Sequence, residues 1–455
     1  MHTPFLRICI IGSGLSGSLL AHFLQLNLKK PSKIIIFERE PRQLFRGIAY
    51  SSDLPYEPLN VPAGKMSLYP EKPMDFHDWL QKNNRPAEAH SFVSRRWFGD
   101  YLVDRITKTP VNPAVHLETI TGTVVDIKKA AAAYELSLQE GGTYPADIVV
   151  LATGHEPSAD ILKNWSGITT GHYHPNPWKH GLFKSLKTTD KILFIGSGLT
   201  MIDIVSSLKK AGHTGQLYAV SRNGTLPEIH APTQAYALSC EMRHKNLDEL
   251  IELVPKELAR AAKQGATWHS VVDALRPHTN ILWQNLNIHD KRKFLQTYRS
   301  VWEKHRHRMP IESGNIIREL QKTGQLKLLK GEIAFIANTH AQELGIKIEN
   351  GKKITDLSVN TILNCTGPST AAHSTNLLLK QLFKNGDMVI DECEIGILTG
   401  TNGEILKNDG KVLENCFALG PLRRGTEWET TALHEIREQA LALTHLISNY
   451  AVRTT

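Results

Sequence analysis

Cysteine is scarce in this chain, with five among 455 residues. Cys9, Cys240, Cys365, Cys393 and Cys416 are an odd number, and no two are spaced C-x-x-C or C-x4-C. A disulfide framework, a structural zinc site and a redox-active dithiol therefore all lose support. No apolar run approaches the roughly 20 residues that cross a bilayer. The first residues also lack a signal-peptide pattern, because after Met1–Pro4 the apolar stretch Phe5–Ile11 runs into a glycine-rich turn with no small-residue cleavage site. A cytoplasmic protein without membrane attachment is expected. Nor does one sign of charge dominate the chain: 53 Lys and Arg are mixed with 45 Asp and Glu, for a net charge of +8, and one basic cluster stands out, Lys291–Lys293 running on to His305–Arg308. An anionic cofactor or substrate explains that balance as readily as nucleic acid does, and no nucleic-acid recognition motif is present. The length predicts two or three domains.

Residues 7–17 read RICIIGSGLSG, a β-branched strand running into Gly12-x-Gly14-x-x-Gly17. An apolar helix is expected from Leu19 to about Leu28, then a strand at Lys33–Phe37 ending on Glu38. Gly12 makes the tight turn, Gly14 lets backbone approach a pyrophosphate, and Gly17 allows close helix–strand packing. Ser13, Leu15 and Ser16 complete the turn, and the helix N-terminus offers free N–H groups to phosphates. Glu38, followed by Arg39, is placed to accept hydrogen bonds from adenosine ribose hydroxyls. Strand, turn, helix, strand and acid in this order predict a Rossmann fold suited to FAD.

The pattern recurs in KILFIGSGLTMID, residues 191–203, with Gly196, Gly198, Leu199 and Thr200 in the turn. Met201 stands where the third glycine would be, which loosens the helix–strand approach and leaves the phosphate turn intact. A strand follows at Leu217–Val220. Counting 26 residues from Gly12 reaches Glu38, and 26 from Gly196 reaches Arg222, preceded by Ser221. An acid there would repel a 2′-phosphate, whereas arginine binds one through paired, charge-assisted hydrogen bonds. This second unit is expected to hold NADPH. The plain alternative for Arg222 is a solvent-exposed arginine at a strand end.

Two further apolar strands close on Thr-Gly: VLATG, ending at Thr153 and Gly154, and ILNCTG, ending at Gly367. Small residues suit places where chain passes close to a flat cofactor or crosses between domains. CFALGP carries Gly420, and a helix beginning near Thr431 could turn its N-terminus toward a flavin pyrimidine ring. The predicted fold is α/β, with two Rossmann-like dinucleotide-binding domains. The FAD domain is discontinuous, 1–170 and 358–455. The NADPH domain, 171–357, is inserted between its parts and carries a largely helical insertion at 233–309.

The order GSGLSG, ATG, GSGLTM and SR-x-G resembles the flavin-dependent monooxygenase branch of two-dinucleotide-domain flavoproteins. More specifically, the chain looks like bacterial FAD/NAD(P)-binding proteins of unassigned substrate related to that branch. The matching stretches include residues 47–80, RRWFGDYL at 95–102, SRNGTLPEIHAP at 221–232, WEKHRHRMP at 302–310 and residues 418–440. The resemblance implies FAD, NADPH and reaction with O2 on a small-molecule substrate. It also implies a role for LNVPAGKMSLYPEKP: Asn60 would donate a hydrogen bond near flavin N5 and C4a, with Met66 and Ser67 lining the same face. Otherwise Asn60 caps an ordinary turn.

Departures qualify the resemblance. WSGITTGHYHPNPW, residues 165–178, has the residue types of the Baeyer–Villiger fingerprint, but His172 and His174 miss its spacing from Gly167. Pro421 follows Gly420 where many relatives carry an aspartate for the ribityl chain. The pairs His172/His174 and His305/His307 are poorly spaced for one metal, so no metal is expected, and the run His305–Arg308 reads as an anion or substrate contact or a solvated face. The expected activity is an NADPH-using flavin oxidoreductase, monooxygenase-like, acting on a nucleophilic nitrogen or sulfur. The rivals are an NADPH:acceptor reductase or oxidase and a non-catalytic FAD-binding redox sensor.

Overall fold

The computed structural model describes residues 5–130, 133–163, 165, 171–339 and 343–453. Its N-terminal unit is strand β1 (Leu6–Ile11), helix α1 (Leu15–Asn27) and strand β2 (Ser32–Glu38). The helix starts four residues before the expected Leu19, because Gly14 is its cap and the second half of the glycine turn is already its first turn. β1 and β2 pair in parallel from Leu6↔Ser32 to Ile11↔Phe37. They lie in a six-stranded sheet whose order is Glu404–Leu406, Val412–Ala418, Ile148–Leu151, β1, β2, Val115–Thr121.

Near-continuous apolar strands imply a sheet covered on both faces. Ile8, Ile10, Ile34 and Ile36 pack among Leu20 and Leu24 of α1 and Ile436 and Leu443 of the C-terminal helix. Cys9, Ile11, Ile35 and Phe37 face the other way, toward Ile127 and Leu136 of an antiparallel three-stranded sheet and Leu379 of the helix Leu377–Asn385.

The second unit repeats this plan with β3 (Ile192–Ile195), α2 (Leu199–Lys210) and β4 (Leu217–Ser221). Its five-stranded sheet runs Leu326–Lys330, β4, β3, Thr361–Asn364, Tyr173–His174. Ile192 and Phe194 pack on Ile202 and Val205 of α2, while Leu193 and Ile195 meet Ile346 and Ile348 of a second three-stranded sheet. Thr361–Asn364 pairs in parallel with β3. That strand therefore belongs to the second sheet, and the expected return to the first sheet at 358 comes too early. The chain rejoins the first sheet only at Glu404.

Between β4 and the strand Leu326–Lys330, helices run from Leu247 to Arg306, ending in α3 (Arg299–Arg306). This segment lies against the stretch before the C-terminal helix α4 (Leu433–Arg453). Trp283 and Phe294 each stand 5.1 Å from the Trp428 ring, and Trp283 Nε1 donates to the Gly425 carbonyl. All five cysteines are free. Burial pushes the Cys9 and Cys416 thiols up to about 12, so neither is a ready thiolate. No described helix is long and apolar enough to cross a membrane.

Candidate functional site

In the first turn, Gly12 has φ +104°, and a Cβ there would collide with the Ala152 carbonyl. A Cβ on Gly17 would collide with the Gly12 carbonyl. The VLATG segment is thus the wall against which the first glycine turns. Ser13 is fully buried, and Glu38 Oε2 accepts both its N–H (3.1 Å) and its hydroxyl (2.7 Å). Glu38 Oε1 accepts from the Glu40 N–H at 3.1 Å. No side chain caps α1, which leaves its first N–H groups available to an anion. Opposite them lies Gly47 (φ +59°), whose added Cβ would come within 2.9 Å of Gly14 Cα. Sequence reading missed Gly47; its only trace is a lone glycine in RGIAY.

Near this turn stand buried hydroxyls with no hydrogen-bond partner. Among the described residues Thr153 Oγ1 and Thr430 Oγ1 are such atoms. The open cradle of Gly12, Gly14 and Gly47, the uncapped helix end and these hydroxyls fit a dinucleotide. Gly420, expected among the cofactor-binding residues, donates its N–H to Gln439 Oε1 (2.9 Å), and a Cβ on it would collide with Ser16 Oγ.

The second turn copies the backbone of the first. Gly196 has φ +105°, and its Cβ would collide with the Cys365 carbonyl of the ILNCTG segment. No side chain caps α2. The polar contacts differ: Ser197 Oγ lies 2.8 Å from Ser221 Oγ and donates to the Thr225 carbonyl at 2.5 Å. Register also corrects the residue count made on the sequence. Gly12 N–H donates to Phe37 and Gly196 N–H to Val220, so Glu38 corresponds to Ser221 and Arg222 to Arg39. The second unit is one residue shorter, with a 12-residue α2 against a 13-residue α1. Arg39 and Arg222 are both exposed just beyond their strand ends.

The strand ends of the two units open onto a cleft of about 520 Å³. Gly154 and Gly367, both at positive φ, lie on its wall with Gly198, Leu199, Arg424 and Thr431. An adjoining lobe of about 380 Å³ is lined by Ser197 and Thr225–Pro227. The two lobes share Gly198, Leu199, Glu303 and His307. Glu303 receives His307 Nε2 at 2.8 Å and Arg424 Nη2 at 2.9 Å, with Arg299 Nε at 3.7 Å. Burial opposes its charge, but His307, Arg424 and Arg299 together hold it well below the usual carboxylate range. Burial, Arg424 and Arg222 lower the Arg299 guanidinium. His155 opens to the cleft but is otherwise enclosed by protein; that enclosure, then Arg424 and His307, lowers it to about 4.

The run His305–Arg308 does not act as one anion contact. Arg306 pairs with Glu429 (3.1 Å), Arg308 pairs with Asp273 (2.9 Å), and His305 contacts the Val301 carbonyl. Of these four only His307 lies on the cleft wall, and it follows the last helical residue, Arg306, with φ −100° and ψ 84°. Asn60 is half-buried and is not among the residues lining this cleft, and its carbonyl lies 2.9 Å from His230 Nε2. Met66 is packed into the first core, and the Ser67 hydroxyl is engaged by Lys72 and Tyr69 backbone, so neither lines an open face as expected. His172 Nδ1 contacts the Asn360 carbonyl, while Gly167 of the Baeyer–Villiger comparison lies outside the described residues. Among the described residues no group of three or more His, Cys, Asp or Glu is arranged to hold a metal.

Residues 9–156 match the family model described as FAD-NAD(P)-binding. No curated protein is similar enough in sequence to match the chain. In fold the chain is similar to an ornithine N-hydroxylase of Kutzneria sp. 744, at 15% identity and TM-score 0.65, covering 98% of this chain and 100% of that one. The L-lysine 6-monooxygenase of Pseudomonas syringae gives 15% identity and TM-score 0.61, covering 99% of each chain. The bacillithiol disulfide reductase of Bacillus cereus is more distant, at 12% identity and TM-score 0.52, covering 98% of this chain and 100% of the other.

Proposed function

We propose that this chain, an FAD/NAD(P)-binding protein on the two-dinucleotide-domain fold, is an NADPH-using flavin oxidoreductase that oxygenates a small nucleophilic substrate. The observation that carries this reading is the unequal chemistry of the two turns. Glu38 ends β2 as an acid that suits unphosphorylated ribose, as in FAD, and would repel a 2′-phosphate. Ser221 at the matching place is neutral, and Arg222 beside it suits the extra phosphate of NADPH.

Bound flavin supplies hydride acceptance and oxygen activation, and the protein supplies orientation and exclusion of water. The N-termini of α1 and α2 would hold one pyrophosphate each. Thr153, Gly154, Gly367 and Thr431 would shape the space between the units, and Asn60 would stand beside the flavin as the resemblance implies. The relatives of like fold include proteins named for hydroxylating ornithine nitrogen and for oxygenating lysine at position 6. A primary amine is therefore the first substrate class to test. A disulfide substrate, as the name of the bacillithiol reductase indicates, is disfavoured because no C-x-x-C or C-x4-C pair exists here.

The experiment is anaerobic reduction followed by air. NADPH should bleach the flavin, and on admitting oxygen a productive amine should lower the hydrogen peroxide released per NADPH consumed. Stoichiometric peroxide whatever amine is added would identify an oxidase. Failure of NADPH to bleach the flavin would leave a redox-sensing or scaffolding module.

A further inference from the structure

The loop after β4 does more than line the nucleotide lobe. Thr225–Pro227 face that lobe. From the very next residue the chain is pinned by a β-bridge, Ile229 to Met309, against the end of α3 and the residues after it: Glu228 N–H donates to the Lys304 carbonyl (3.1 Å), Met309 N–H to Glu228 (2.8 Å) and His230 N–H to Met309 (3.0 Å). From this fixed backbone the His230 ring crosses to the first unit. Its Nε2 lies 2.9 Å from the Asn60 carbonyl, and its ring centroid is 4.9 Å from that of Phe92. Phe92 belongs to the strip backing the same segment, where Leu59 N–H donates to Val93 (2.7 Å) and Ala63 N–H to Ser91 (2.9 Å).

A carbonyl only accepts, so the proton between the two groups sits on His230 Nε2. Burial lowers this imidazole to about 4, which keeps the ring neutral at physiological pH and fixes the Nε2–H tautomer by its partner. The ring is thus a rigid strut. One end is set by the loop under the nucleotide lobe, and the other holds the backbone of Asn60.

We infer that His230 is a positioning residue that couples the two cofactor sites, holding Asn60 in register with the loop that lines the nucleotide lobe. Occupation of Thr225–Pro227 by dinucleotide is then transmitted through His230 to the segment beside the flavin. The inference rests on the reading that Asn60 flanks the flavin.

The test uses FAD-loaded protein and the visible flavin spectrum while NADP+ is titrated in, with no turnover. His230→Phe keeps the ring packing on Phe92 and removes the donor, while His230→Gln keeps a donor near the same place. In the wild type NADP+ should perturb the flavin spectrum. His230→Phe should lose that perturbation while NADP+ still binds by calorimetry, and should weaken FAD by about fivefold, the worth of one neutral hydrogen bond. His230→Gln should restore both. Should His230→Phe fail to fold, the smaller His230→Leu takes its place. An unchanged NADP+-induced perturbation in the donor-less variant overturns the coupling. Asn60→Ala separates the two layers. If it leaves the flavin spectrum unaltered, Asn60 does not flank the flavin and the inference falls with that reading; if it shifts the spectrum while His230→Phe does not, only the coupling is wrong.

Discussion

The two dinucleotide turns share a backbone and differ in what occupies it. In both, the first glycine sits at φ near +105° with its face against the carbonyl of the residue just past a neighbouring strand, Ala152 in one and Cys365 in the other. The shared part is steric, because only glycine leaves room there. The polar part diverges. A buried carboxylate, Glu38, locks Ser13 in the first turn, while a pair of neutral hydroxyls, Ser197 and Ser221, ties the second. The third position diverges as well: Gly17 touches the turn, whereas Met201 is fully buried in the second core. On the proposed assignment, one backbone design serves two nucleotides by changing the side chain at the end of the second strand.

The steric half should break first and most completely. Gly12→Ala forces a Cβ into a carbonyl and strains a positive φ, at a cost of about 1–3 kcal/mol for the conformation alone. The purified variant should lack the flavin absorbance altogether. Gly196→Ala should keep its flavin and fail to be reduced by NADPH. Loss of flavin from the Gly196 variant but not from the Gly12 variant would reverse the assignment of the two units.

The polar half should break by degrees. Arg222→Ala should weaken NADPH by about 10- to 100-fold, the range for hydrogen bonds to a charged group, and NADH much less. Ser221→Glu places an acid in the register of Glu38 and should turn the preference toward NADH. Equal effects of Arg222→Ala on both nucleotides, measured by anaerobic titration, would remove Arg222 from the phosphate site. Smaller still is the contribution of each turn's own lock. Glu38→Ala strands the buried Ser13 N–H and leaves the Ser13 hydroxyl only the longer contact to the Gln43 carbonyl (3.4 Å), and should cost about 1–3 kcal/mol in denaturant unfolding. Ser221→Ala, which leaves Ser197 its bond to Thr225, should cost about 1 kcal/mol or less.

This comparison also separates what the sequence makes legible from what it hides. Both turns, their strands and their helices follow from local rules: apolar strands, glycine at forced φ, and periodic apolar helices. The one-residue offset between Glu38 and Arg222 does not, because it depends on helix length and strand register rather than on any residue in the motif. Gly47 escapes for a related reason, since its approach to Gly14 joins segments far apart in the chain. The run His305–Arg308 looks like one basic patch in sequence. In the folded chain it is divided, with Arg306 in a buried ion pair, Arg308 in a separate, partly exposed one and His307 alone in the cleft. The Trp283–Phe294–Trp428 cluster that seats the helical insertion was equally out of reach of a local pattern.

The two helices that follow the turns differ in the sign of their response to pH. α1 buries His22, which contacts Tyr69 Oη at 2.8 Å and is lowered by burial, then by Arg105, to about 4. α2 buries Asp203, 3.4 Å from Arg95, which burial and then Glu57 push above the usual carboxylate range against the pull of Arg95. A histidine whose folded value is depressed contributes stability that is present above about 6.5 and lost as pH falls toward 4. An aspartate whose folded value is raised contributes stability that is present below its ordinary value of 3.8 and lost as pH rises toward about 7. In the same window the two helices pull in opposite directions, and His155 and His230, also lowered to about 4, add to the acid side. His22→Gln should remove up to about 3 kcal/mol of acid sensitivity relative to the wild type. Asp203→Asn should remove the opposing contribution and steepen the loss of stability on acidification. Urea unfolding of both variants between pH 4 and 7 measures this directly, and profiles parallel to the wild type in both would mean that neither buried group titrates on folding.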